Sequence, residues 1–111
     1  KVPTFINRMN AILPEIDPGF MPNLVSHLGD GNVHYSVWPK SQDPAVHDQI
    51  LEAVEDEALR LGGSFSAEHG IGVSKLASMR RRKDPVALAT MRAIKAALDP
   101  NGILNPGKVL P

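Results

Sequence analysis

Asn23-Leu24-Val25-Ser26-His27-Leu28-Gly29-Asp30-Gly31-Asn32-Val33-His34-Tyr35-Ser36-Val37-Trp38 contains two β-leaning runs, residues 23–28 and 33–38, around a Gly-Asp-Gly-Asn centre. Asp-Gly between such runs is the strongest short-range hairpin signal. A turn centred between Asp30 and Gly31 sets His27 directly opposite His34, on one face, with Cβ atoms about 5 Å apart. Leu24, Leu28, Val33 and Val37 take the other face, where a helix layer can cover them. A one-residue slip would bury both imidazoles, so register and chemistry are tied together.

Outward from the hairpin the pattern turns helical. Residues 4–13 carry Phe5, Ile6, Met9, Ile12 and Leu13 at helical spacing, with Pro14, Pro18 and Gly19 behind them as breakers. Asp43-Pro44 supplies a cap and a first-turn proline for a helix whose one face is Val46, Ile50, Val54, Ala58 and Leu61, stopped by Gly62-Gly63. Residues 64–68 alternate Phe65 and Ala67 against Ser64, Ser66 and Glu68, which predicts a third strand. Ser74 is placed to cap a short helix ending in Arg80-Arg81-Arg82-Lys83. Asp84-Pro85 opens a further helix bearing Leu88, Met91, Ile94 and Leu98. The Gly- and Pro-rich tail, residues 101–111, reads as loop. The fold class is therefore α+β, a small antiparallel sheet covered by helices on one face.

At 111 residues the chain is one modest domain, 1–111, and its 12 basic and 12 acidic side chains cancel. Zero formal charge gives no general electrostatic reason to bind nucleic acid or an acidic membrane. No apolar run approaches the length of a membrane span. The absence of cysteine excludes disulfides and thiolate metal sites. The opening Lys1-Val2-Pro3, with neither initiator Met nor signal pattern, reads as a processed or excised piece. Charge is uneven locally: six acids fall in residues 43–57 and five bases in residues 75–83, read as solvated helix faces.

Two cross-strand imidazoles can converge on one metal ion, and Glu68, on the Ser64 and Ser66 side of the predicted strand, offers a carboxylate as third ligand. Two His and one carboxylate leave metal positions open for water or substrate. His69 follows, and Gly70 and Gly72 let the backbone turn so that its imidazole can act as a base. Histidines beside a turn are otherwise surface or satisfied core residues. A free-standing zinc hydrolase and a non-catalytic metal-binding or interaction domain use the same ligands, although no nucleophile or second acid stands beside them.

The strings His27-Leu28-Gly29-Asp30-Gly31-Asn32-Val33-His34, Ser64-Phe65-Ser66-Ala67-Glu68-His69-Gly70-Ile71-Gly72 and Leu98-Asp99-Pro100-Asn101-Gly102-Ile103-Leu104-Asn105-Pro106-Gly107-Lys108-Val109 together resemble the C-terminal domain of FAD-linked oxidases of the vanillyl-alcohol-oxidase type. That family includes D-lactate, glycolate and D-2-hydroxyglutarate dehydrogenases. The resemblance implies that His27, His34 and Glu68 hold a divalent metal, usually zinc, and that His69 acts on the substrate hydroxyl. It places Asn105 in a tail that returns towards the flavin. Ser26 stands where Gly is commoner, and Ser36 where Asn is commoner, at a position that touches the substrate carboxylate.

The implied reaction is oxidation of a small D-2-hydroxy acid to the 2-oxo acid, with FAD as redox cofactor. The electron acceptor is not readable from these residues. No glycine-rich dinucleotide fingerprint occurs, so the FAD-binding domain is expected upstream of Lys1. The resemblance implies a ferredoxin-like fragment whose first strand also precedes Lys1. Such a chain is expected to self-associate through unpaired edges and to show no dehydrogenase activity alone. It implies a cytoplasmic location in bacteria or a mitochondrial one.

Overall fold

Phe5, Met9 and Leu13 recur at intervals of four and so share one stripe of helix α1 (Val2–Ile16), where all three are buried. The structure, a computed structural model, describes residues 1–66 and 68–111 and divides into two compact units, Lys1–Ser64 and Phe65–Pro111. In the first unit α1 is followed by strands β1 (Met21–His27) and β2 (Asn32–Trp38) and by helix α2 (Pro44–Arg60). The second holds helices α3 (Leu76–Arg82) and α4 (Pro85–Leu98). The fold is α+β.

The α1 stripe meets Ile50 of α2, and Ile6, Ile12, Ile16, Val46, Val54, Ala58 and Leu61 close around it. The face read from the sequence of α2 is thus the buried one. Helix α1 runs past Pro14, predicted to break it. Proline removes the amide that would bond the carbonyl four residues back, yet the turn beyond it is held, with Asp17 N donating to Leu13 O at 2.9 Å and Ile16 packed on the core. Asp43 opens α2 by accepting from the Ala45 amide at 2.9 Å. Its end is a Schellman closure, with Gly62 N donating to Leu59 O and Gly63 N to Ala58 O, both at 2.8 Å.

The acidic stretch is not wholly solvated, as Glu55 and Glu57 are each only 4% exposed. Glu57 is tolerated inside because the Arg60 guanidinium grips both its oxygens, at 2.8 and 2.5 Å, and Arg8 of α1 stands 3.8 Å away. The Arg60 hydrogen bonds outweigh the opposing effect of burial and hold the Glu57 carboxyl below its ordinary range.

The hairpin forms with a different centre from the one predicted. Leu28–Asp30 make a 3-10 turn that ends at Gly31, whose φ of 68° is left-handed and suits glycine. The four-residue loop is therefore centred between Gly29 and Asp30. His27 pairs with Asn32, and His34 with Val25, rather than with each other; Ser36 pairs with Asn23. The shift is by two positions, so every side chain keeps its face. On the inner face Tyr35 and Val37 pack against the helix core. Leu24 and Leu28 do not share that cover, being 38% and 68% exposed: Leu28 has been drawn into the turn, and Leu24 lies on an edge strand, as both strands of a two-stranded sheet are.

Tyr35 meets Phe5 edge to face, with ring centroids 5.4 Å apart and planes at 88°. Its hydroxyl is buried with no hydrogen-bond partner among the described residues, and burial raises its pKa. Tyr35→Phe keeps the ring contact and removes the unsatisfied group, so it is expected to leave stability unchanged or raise it by up to about 1 kcal/mol. A loss of more than that in urea unfolding would show that the hydroxyl has a partner.

The strand predicted at 64–68 is not formed among the described residues: Phe65 and Glu68 are bends, Ser64 and Ser66 are irregular, and Ala67 lies outside the described residues. The Ser66 hydroxyl bonds locally to a backbone carbonyl, an alternative that competes with a sheet ladder. Ser74 does not cap α3; it sits inside a 3-10 turn (Val73–Lys75) opened by Lys75 N donating to Gly72 O. Asp84 does cap α4, accepting from the Ala87 amide at 2.9 Å. Of the α4 stripe only Leu88 is buried, while Met91, Ile94 and Leu98 are exposed. Among the described residues the second unit has no sheet on which the stripe could lie. The tail is loop, as predicted. No described helix is long and apolar enough to cross a membrane.

Candidate metal and substrate site

Alternation along the hairpin puts His27, His34 and Ser36 on the face away from the helix core. His27 and His34 are now diagonal neighbours, about 7–8 Å apart at the backbone, still within reach for long or aromatic side chains. Both are exposed. The Asp30 carboxylate lies 3.9 Å from His27 Nδ1, too long for a hydrogen bond. The fourth histidine, His47, is engaged elsewhere, its Nε2 lying 2.7 Å from the Ser41 carbonyl at the start of α2.

Glu68 and His69 sit in the second unit on a turn bracketed by Ser66 and Gly70. The Ser66 hydroxyl donates to the Gly70 carbonyl at 2.9 Å. Lys75 Nζ donates to that hydroxyl at 2.8 Å and reaches the carbonyl at 3.4 Å. Gly70 has a left-handed φ of 57°, which reverses the chain beneath the pair. Glu68 Oε2 stands 3.6 Å from His69 Nε2.

The tail is tied by Asp99. Its carboxylate accepts from the Ile103 and Leu104 amides, both at 2.9 Å, and from Lys95, which also donates to the Leu104 carbonyl at 2.7 Å. This knot precedes Asn105, the one non-glycine described residue with positive φ, at 45°. Asparagine tolerates that conformation better than most residues, which is a backbone reason for its presence beside any role in binding.

Asp99 carries a consequence for acid stability. The Lys95 ammonium outweighs the opposing effect of burial and, with the two amides, holds the carboxyl below its ordinary range. A lowered folded-state value stabilises the fold above the unfolded aspartate value, about 3.9, and that contribution is lost as pH falls through the folded value. Asp99→Asn is expected to lower the thermal midpoint at neutral pH and to flatten its dependence on pH below 4. An unchanged acid-side slope in circular-dichroism melts would contradict this.

Sequence reasoning missed Asp17, Asp99 in this role, and Lys75. Asp17 is buried after α1, where its carboxylate accepts from the amides of Lys40 at 2.7 Å, Ser41 at 3.2 Å and Gly19 at 3.4 Å, tying the end of α1 to the exit of β2. Burial opposes ionisation, but these amides prevail and lower its pKa. The strings Asp17-Pro18-Gly19 and Asp99-Pro100-Asn101-Gly102 are turn signals in which Asp bonds backbone amides a few residues on. No local pattern announces Lys75.

A family model described as "FAD linked oxidases, C-terminal domain" matches residues 1–109. The chain is 36% identical over 118 residues to a D-2-hydroxyglutarate dehydrogenase of Stutzerimonas stutzeri (strain A1501), covering 98% of this chain and 25% of that protein. It is 34% identical over 116 residues to a probable mitochondrial D-lactate dehydrogenase of Danio rerio, covering 95% and 23%. With a mitochondrial D-2-hydroxyglutarate dehydrogenase of Bos taurus it shares 44% over 85 residues, covering 77% and 16%. The chain belongs to the family of FAD-linked oxidase C-terminal domains. It spans about a quarter or less of the length of these relatives.

Proposed function

We propose that the chain is the metal- and substrate-binding part of a flavin-dependent dehydrogenase that oxidises a D-2-hydroxy acid to the 2-oxo acid. The observation that carries this reading is the match, over 98% of the chain, to a relative named for such a reaction. The residues fit a divalent ion: His27 and His34 lie on one sheet face, and Glu68 adds a carboxylate, the donor types zinc takes. Without thiolate the set does not select strongly, so manganese or iron follow zinc as candidates. When bound, the cation would make the substrate hydroxyl more acidic and the flavin would take hydride from C2.

This chain's own groups then have separate tasks. His69 accepts the hydroxyl proton as the C2–H bond breaks and the carbonyl forms, and Glu68 beside it steadies the charged ring. Ser36, on the histidine face, donates to the substrate carboxylate. Asn105 presents its amide towards the flavin from the loop that Asp99 ties. In the full-length protein, anaerobic addition of a D-2-hydroxy acid is expected to bleach the flavin's visible absorbance, with the L enantiomer inert. A flavin that no D-2-hydroxy acid reduces would overturn the reading.

A further inference from the structure

We propose that Lys75 is a positioning residue for Glu68 and His69, a role that rests on the metal reading above and adds to it the device that holds those two side chains in place. Glu68 and His69 are themselves exposed, and burial therefore does little to fix where they point. The turn on which they sit is one constraint on them. That turn is closed by a relay in which the Lys75 ammonium donates to the Ser66 hydroxyl and the hydroxyl donates to the Gly70 carbonyl. The ammonium also reaches the same carbonyl, so one cation holds both ends of the segment carrying the ligand and the base.

The chemistry of the relay explains why a lysine stands there. A hydroxyl has one proton, and once Ser66 has given it to Gly70 its lone pairs need a donor. A charged donor polarises the hydroxyl and strengthens the bond that closes the turn. Lys75 is half-buried, anchored at the end of the 3-10 turn that leads into α3, so its anchor is a rigid element rather than a loop. Removing the ammonium deprives the Ser66–Gly70 bond of its charged donor, and the geometry of the proposed ligand loosens.

Lys75→Met, which keeps the stem, is expected to weaken zinc binding by the full-length protein roughly 10–100-fold in chelator competition, the cost of losing a group that orients a ligand. Lys75→Arg, still able to donate to both acceptors, is expected to restore most of the affinity. Amide hydrogen exchange in residues 68–71 should accelerate in Lys75→Met and not in Lys75→Arg, with the thermal midpoint little changed. Ser66→Ala, which removes the relay's middle member, should resemble Lys75→Met and serves if that variant folds poorly. Zinc affinity equal to wild type in Lys75→Met would overturn the positioning role alone. A wild-type protein that binds no divalent ion would overturn the metal reading and this role with it.

Discussion

Leu13→Ala is expected to lower the unfolding free energy by about 2–5 kcal/mol, the range for truncating a buried leucine. Leu13 is 0% exposed and lies in the α1 stripe with Phe5 and Met9, against Ile50 of α2. Its surroundings are poorly placed to collapse into the space left behind. On one side the closing residue, Asp17, is fixed by three amides, and the backbone bond from Asp17 N to Leu13 O anchors the helix end at 2.9 Å. On the other, buried Glu57 of α2 is gripped by Arg60 and stands 3.8 Å from Arg8 of α1, a charge cluster that spans the two helices. A residual cavity therefore adds to the lost transfer free energy. Leu51→Ala, on an exposed position of the same helix pair, is expected to cost well under half as much. Equal losses in urea unfolding would mean that α1 does not carry the core.

The elements that proved legible are those with a strong local signal. Asp-Pro before an apolar stripe opened α2 and α4 where expected, and Gly62-Gly63 closed α2, because capping depends on neighbouring residues only. Asp17-Pro18 and Asp99-Pro100 likewise mark the ends of α1 and α4, as the sequence reads; what was harder to see is that each carboxylate reaches amides from later in the chain. The hairpin was legible in kind but not in register. Gly29-Asp30-Gly31 admits two turn centres, and the left-handed residue that decides between them, Gly31, is chosen by backbone geometry. Histidine placement survived because an even shift preserves faces. The strand at 64–68 misled because Ser66 alternation has two explanations, a ladder or a closed turn. Only Lys75, nine residues later, distinguishes them.

In the full-length protein, His34→Ala is expected to lower zinc affinity by at least about 100-fold and turnover with it, because it deletes a proposed ligand rather than a group that orients one. His69→Ala should leave the metal bound and depress turnover by about 10²–10⁴, the usual cost of a general base. The two histidines differ in what surrounds them. His34 projects from the middle of β2, held by cross-strand pairing with Val25, and its backbone moves little if the side chain is removed. His69 rides on the Ser66–Gly70 turn beside Glu68. Its removal takes a neighbour from the carboxylate but leaves the Lys75–Ser66 and Ser66–Gly70 hydrogen bonds in place. Glu68, the proposed ligand, is then expected to keep its place while the proposed proton acceptor is gone. Metal content by atomic absorption, set beside the rate of flavin reduction in a stopped flow, separates the two effects. Equal metal loss in both variants would make His69 a ligand and leave the substrate proton without an assigned acceptor.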